Sequence, residues 1–157
     1  MDILENFSHK IISCSQYKKN GLFPIFSNNF TCQKNAFNYI TSFLKLHFDG
    51  FIIQKDNHFP EDNFLELAPY LKKNTIIFIN EISNSFHYKE VLELSKNNIV
   101  IAGFECYASY QNPFSDFLNR YQRISHLSLD EINLSINDIL YVQYTDSNYQ
   151  YLMGKGN

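Results

Sequence analysis

Tryptophan is absent from the 157 residues, cysteine occurs three times, and glycine and proline number only five and four. The three cysteines, Cys14, Cys32 and Cys106, form no CxxC pair and no even-numbered framework. That argues against a disulfide scaffold and a structural zinc ribbon, and it makes a reduced compartment the default expectation. Basic charge is not in excess either: 13 Lys+Arg stand against 16 Asp+Glu, the formal net charge is -3, and the basic residues are scattered. An electrostatic footprint for gripping nucleic acid or anionic lipid is therefore not expected. No apolar run comes near the roughly 18 residues that read as a membrane span. The opening Met1-Asp2-Ile3-Leu4-Glu5-Asn6 also lacks a basic stretch followed by an apolar one. These absences lead to an expected setting in the cytoplasm or another reducing intracellular compartment, away from membranes. Internal repeats and low-complexity tracts are missing as well.

Aromatic residues, by contrast, are plentiful at 17%, as 15 Phe and 11 Tyr. Abundant Asn beside scarce Ala and Gly reads as codon bias towards A and T, so neither the Asn nor the Phe count carries functional weight. Aromatic side chains still dominate the expected core, because each buries a large area. The length and a 45% hydrophobic content fit one domain with one sizeable core.

Periodicity sets the fold class. Thr75-Ile76-Ile77-Phe78-Ile79 is a continuous β-branched run that reads as a fully buried strand. Asn98-Ile99-Val100-Ile101-Ala102-Gly103 and the shorter Gly50-Phe51-Ile52-Ile53 have the same character. Helical spacing runs from Ala36 to His47, from Pro60 to Leu71 and from His87 to Lys96. Short apolar strands separated by helices predict parallel strands with right-handed crossovers, a doubly wound α/β sheet. Leu140 to Tyr144 and Tyr149 to Leu152 flank the turn-rich Thr145-Asp146-Ser147-Asn148 and predict a hairpin. Lys10-Ile11-Ile12-Ser13-Cys14 reads either as an edge strand or as the tail of a short helix.

In an open α/β sheet, ligands bind beyond the carboxyl ends of the strands. Three such places stand out: Phe23-Pro24-Ile25-Phe26-Ser27-Asn28-Asn29-Phe30-Thr31, Asn80-Glu81, and Gly103-Phe104-Glu105 with the later Asn112-Pro113-Phe114. Together they resemble the type II thymidine kinases, whose phosphate loop reads G-P-M-F-S-G-K-S/T-T and whose acidic site reads I-D-E. Pro24, Phe26, Ser27 and Thr31 match the loop, Ile79-Asn80-Glu81 matches the acidic site, and Gly103-Phe104-Glu105 with Pro113-Phe114 is similar to a third element, a G-L-D turn before a P-F pair. Tyr149 with Met153-Gly154 is similar to a Tyr followed by a Cys-Arg pair. The resemblance covers most of the chain from about Leu22 onward. It implies a P-loop NTPase-like core over 21–125, a lasso-like segment over 126–157 and an N-terminal extension or edge element over 1–20. By the same resemblance Ser27, Asn28, Asn29 and Thr31 form the phosphate loop, Asn80 the magnesium position, Glu81 the general base, and Phe114 and Tyr149 the thymine pocket.

The reactive positions depart from that pattern. Loop glycines let backbone N–H groups turn towards phosphates, a Lys bridges them, and a hydroxyl binds magnesium. Here the glycine positions hold Phe23 and Asn28, the Lys position Asn29, the next hydroxyl position Phe30, and the magnesium Asp is Asn80. Asn can enter left-handed conformations but brings no charge to a transferring phosphoryl group. The family's zinc ligands are missing too, and His126 stands alone after Cys106. Plainer readings stand beside these: Glu81 or Thr31 as caps, Phe114 and Tyr149 as core, His58 and His87 unligated, Cys32 an inert thiol. The expectation is a catalytically degenerate, thymidine-kinase-like protein without cofactor or metal, kept as a structural or interaction module with a protein partner or as a homo-oligomer. The alternatives are a divergent deoxynucleoside kinase or nucleotide-binding sensor using ATP and magnesium, or an unrelated small α/β protein lacking a strand-loop-helix around Ser27.

Overall fold

Seven consecutive residues, Gly21–Ser27, form the first strand, β1, and all seven are buried. The computed structural model describes residues 2–56, 74–82, 85–108, 111–145 and 148–155. The other strands are β2 (Phe51–Asp56), β3 (Thr75–Ile82), β4 (Ile99–Glu105), β5 (Asp138–Thr145) and β6 (Asn148–Lys155). They build one six-stranded sheet in the order β2-β3-β4-β1-β5-β6. All neighbours are parallel except β5 and β6, which pair antiparallel from Asp138↔Lys155 to Thr145↔Asn148.

A strand in a sheet covered on both faces needs apolar residues at every position, and β3 and β4 meet that need by alternation. Ile76, Phe78, Ile99 and Ile101 join one core with α1 (Ile3–Gln16) and α2 (Phe30–His47). Ile77, Ile79, Val100 and Ala102 join the other with α3 (Ser85–Leu94), α4 (Pro113–Ser125) and α5 (Leu129–Ser135). The doubly wound α/β expectation holds, with its strands at β2, β3 and β4, its helices within α2 and across α3, and its hairpin at β5–β6. Residues 10–14 fall in α1, not in an edge strand; Asp2 caps that helix by accepting from the Glu5 N–H at 2.7 Å, and Phe7 and Ile11 are fully buried. The helix expected over 60–71, and His58, lie outside the described residues.

Aromatic side chains carry much of the α3–α4–α5 core. Phe26 of β1 stacks on Phe117 at 4.7 Å and on Tyr141 at 4.5 Å, and Phe104 meets Tyr88 and Tyr121 at 4.9 and 5.5 Å. The buried Tyr121 hydroxyl donates to the Tyr88 carbonyl, which satisfies its one polar atom. On the opposite face, Gly103 lets α2 approach the sheet. A Cβ there would stand 2.5 Å from Gln33 Oε1 and 2.8 Å from the Phe37 ring. Gly103→Ala is therefore expected to lower stability by about 1–3 kcal/mol through overpacking, read as a fall in the urea midpoint at unchanged slope.

Candidate functional site

The carboxyl ends of β1, β4 and β3 lie side by side, with Ser27 opposite Glu105 and Ile79 opposite Ala102. Strand alternation puts Ser27, Gly103 and Asn80 on the face covered by α1 and α2. Sequence reasoning thus marked two places, 27–31 and 80–81, that the fold brings to one end of the sheet with β4 between them.

The connection from β1 to α2 is very short. β1 remains paired through Ser27, where the Cys106 N–H donates to the Ser27 carbonyl at 2.9 Å, and α2 begins at Phe30. Only Asn28 and Asn29 lie between. The buried Ser27 hydroxyl accepts from the Asn29 N–H at 3.0 Å and donates to the Asn29 carbonyl at 2.9 Å. Asn29 then caps α2, its side-chain oxygen accepting from the Thr31 N–H at 2.8 Å and its carbonyl from the Cys32 N–H at 3.1 Å. A helix N-terminus attracts anions through its unpaired N–H groups. Here two of them are already taken from within the chain. Thr31 is a recipient of the cap and not the cap itself.

Gln33, which the sequence reading passed over, is fully buried on α2 and lies over Gly103. Its Nε2 donates to the Phe104 carbonyl at 2.5 Å, which fixes the amide so that Oε1 faces away as an acceptor. Gln33 Oε1, Asn28 Oδ1 and Asn80 Oδ1 are buried and have no hydrogen-bond partner. A polar residue one turn before Phe37 on the apolar stripe Phe37-Ile40-Leu44 was the available signal. Glu81 sits where the β3–β4 register shifts, half-buried, with a left-handed backbone at φ 57°. Such a bulge turns a side chain away from the regular pleat, and a non-glycine residue in that region stores strain.

A triphosphate with magnesium does not fit these residues. Only two residues join β1 to α2, no ammonium stands in that connection, the helix N-terminus is capped internally, and the unpartnered buried atoms of Asn28, Gln33 and Asn80 are oxygens that would face a phosphate's own acceptors. Of the remaining candidates, Phe114 at the start of α4 meets Phe26 at 6.0 Å and abuts Gly154. Tyr149 of β6 lies on the other face, accepting from Asn35 Nδ2 of α2 at 3.1 Å. The two do not come together. His87 is buried 3.7 Å from Glu90, and the thiol of Cys32 is free. Among the described residues no helix is long and apolar enough to cross a membrane.

No protein-family model and no curated protein matches the chain. Solved structures do. The VirB11 ATPase from the Brucella suis type IV secretion system, in complex with sulphate, superposes on 96% of this chain with a TM-score of 0.58 at 11% identity. The pilus retraction motor PilT with bound ADP covers 94% with a TM-score of 0.62 at 9% identity, and the Yersinia pseudotuberculosis ATPase DotB covers 88% with 0.60 at 10%. The chain spans about half the length of each, 52%, 50% and 44%. The fold is thus similar to that of secretion and motor ATPases. The resemblance to type II thymidine kinases is overturned by these neighbours. Its physical weakness is plain in β1: Pro24, Phe26 and Ser27, which matched a phosphate loop, are buried strand residues.

Two outcomes follow from the geometry. Asn29→Ala removes the α2 cap and is expected to cost about 0.5–2 kcal/mol, whereas Asn29→Asp retains it, as urea unfolding would register. Tyr151, beside Tyr149, is pushed up to about 12 by burial first and by Tyr149 second. A phenol raised in the folded state contributes stability that is complete below pH about 10 and is lost as pH rises through about 12. Burial also raises Tyr88 and Tyr121, so tyrosinate absorbance should show several late-titrating phenols; the component lost in Tyr151→Phe is that of Tyr151, and its midpoint should fall in Tyr149→Phe.

Proposed function

We propose that this chain is an ATPase-fold domain that does not hydrolyse ATP and works through contact with a partner protein in a larger assembly. The observation that carries the reading is the two-residue passage from Ser27 to Phe30. Such catalysis usually depends most on electrostatic stabilisation of the transferring phosphoryl group, and removing one donor costs on the order of a hundredfold to a thousandfold. Here no Lys or Arg lies between Ser27 and Phe30, and the Thr31 and Cys32 N–H groups at the start of α2 are bonded to Asn29. Support for the assembly comes from what similar folds are called: a secretion-system ATPase and a pilus retraction motor.

A second reading, that the same end of the sheet senses a nucleotide without turning it over, is favoured by Glu81. Its carboxylate is kept at the end of β3, on a strained bulge. PilT, with the similar fold, is a complex with ADP.

The test combines phosphate release with thermal unfolding. With ATP and magnesium at high protein concentration, phosphate release should equal the protein-free background in the native chain and in Glu81→Gln. Turnover that disappears in Glu81→Gln would overturn the proposal. A saturable rise in the unfolding midpoint with ADP or ATP, of several degrees at about a hundred times the dissociation constant, would select the sensor reading. With no shift, the search moves to proteins that co-elute with the native chain from its own cell extract.

A further inference from the structure

The opposite end of the sheet holds a cleft that none of this chemistry uses. Parallel pairing in register sets Gly21 of β1 opposite Ile99 of β4, and Ile99 opposite Ile76 of β3. The three incoming segments therefore arrive at one level and enclose about 430 Å³. That volume is in the range of small-molecule sites, about 300–1,000 Å³. Lys18, Lys19 and Asn20 line it from the β1 side, Asn97 from the β4 side, Asn74 from the β3 side, and Phe48 from the end of α2.

Three features give the cleft a chemical character. First, it is cationic: among the described residues no Asp or Glu lines it, and neither Lys18 nor Lys19 pairs with a described carboxylate. In a chain of net charge -3 this is a local reversal of sign. Second, its walls are held in place. Lys18 and Asn74 both adopt left-handed backbones, at φ 56° and 58°. The Lys18 and Lys19 N–H groups close α1 onto the Ser15 and Cys14 carbonyls at 3.0 and 2.9 Å, and the Asn74 carbonyl takes the Phe51 N–H at 2.8 Å. Asn20 is tied to the Lys96 carbonyl at 3.4 Å. Third, Phe48 and Ile99 add apolar wall to the same cleft. The neighbouring hollow, which shares Lys19 and Asn20, is different: Glu131 lines it, and its Lys96 is paired with Glu93 at 2.9 Å.

We propose that the cleft at the amino ends of β1, β3 and β4 binds a small organic phosphate, with the phosphate between Lys18 and Lys19 and a flat apolar group against Phe48. Ammonium and amide N–H donors suit a phosphate's acceptor oxygens, and an aromatic wall suits a ring. Phenyl phosphate is the probe, with inorganic phosphate and phenol as its separated halves and thermal unfolding as the readout.

A saturable rise in the midpoint is expected with phenyl phosphate, a weaker one with inorganic phosphate and none with phenol. In Lys18→Gln/Lys19→Gln the apparent affinity should fall at least tenfold, while Lys34→Gln/Lys155→Gln, which changes net charge equally away from the cleft, should leave it within twofold. Both lysines of the first pair are exposed, so the variant is expected to fold, and its ligand-free midpoint checks that. Absence of a saturable shift with phenyl phosphate, or a shift that survives in Lys18→Gln/Lys19→Gln, would overturn the proposal. The latter outcome would place binding elsewhere, and neither depends on ATP turnover at the other end of the sheet.

Discussion

Along β1 the backbone of Ile25, Phe26 and Ser27 is hydrogen-bonded to β4 on one side and to β5 on the other. This two-sided pairing, carried to the last residue of the strand, is the constraint from which the site's chemistry follows. With Ser27 committed to the sheet and α2 starting at Phe30, the backbone has no slack with which to fold its N–H groups around a ligand. Asn29 then takes the place an anion would have, accepting from the helix it precedes. An ATPase-like architecture and an internally capped helix thus coexist without conflict, because the sheet and its two cores do not depend on what the connection binds.

The row of amides behind that connection has its own logic. Gln33 can be buried because one half of its amide is tied to the Phe104 carbonyl, and Gly103 offers the space in which it lies. The other half has no partner, like the oxygens of Asn28 and Asn80. Buried unpartnered acceptors are uncommon, since each forgoes a hydrogen bond that water would have supplied. They lie towards the carboxyl end as buried acceptors without donors, whereas the cleft at the amino end is lined by lysines.

Much of the fold was legible because it is written in strand-length apolar runs and helical spacing, which need no tertiary context to interpret. Thr75 to Ile79 reads as buried on both faces because every position after Thr75 is apolar. What was not legible was where β1 stops. Phe23-Pro24-Ile25-Phe26-Ser27 is compatible with a strand or with a loop, and only pairing with β4 and β5, distant in sequence, decides it. Pro24 entered only as a match to a family's loop pattern, although it lies inside a strand paired on β4. α4 and α5 carried local signals that were not used, Pro113 at the first helical turn and Ser128 capping onto Glu131. The convergence of Lys18, Asn74 and Asn97 has no signature along the chain, because it is produced by strand register alone.

The order of strands also has a consequence for how the chain acquires its structure. β5 and β6 are adjacent in sequence and can pair as soon as both exist, and α1 and α2 are local. β1, inside the sheet, pairs with β4 and β5, both of which lie far along the chain from it. Loop closure of that span must precede any reward from pairing, which slows folding and prolongs exposure of apolar strands. Until residues as far as Val142 have emerged, Leu22, Phe23, Ile25 and Phe26 have no complete sheet to enter. Before that pairing the apolar face of β1 is left open, and the folding chain is exposed to aggregation through it.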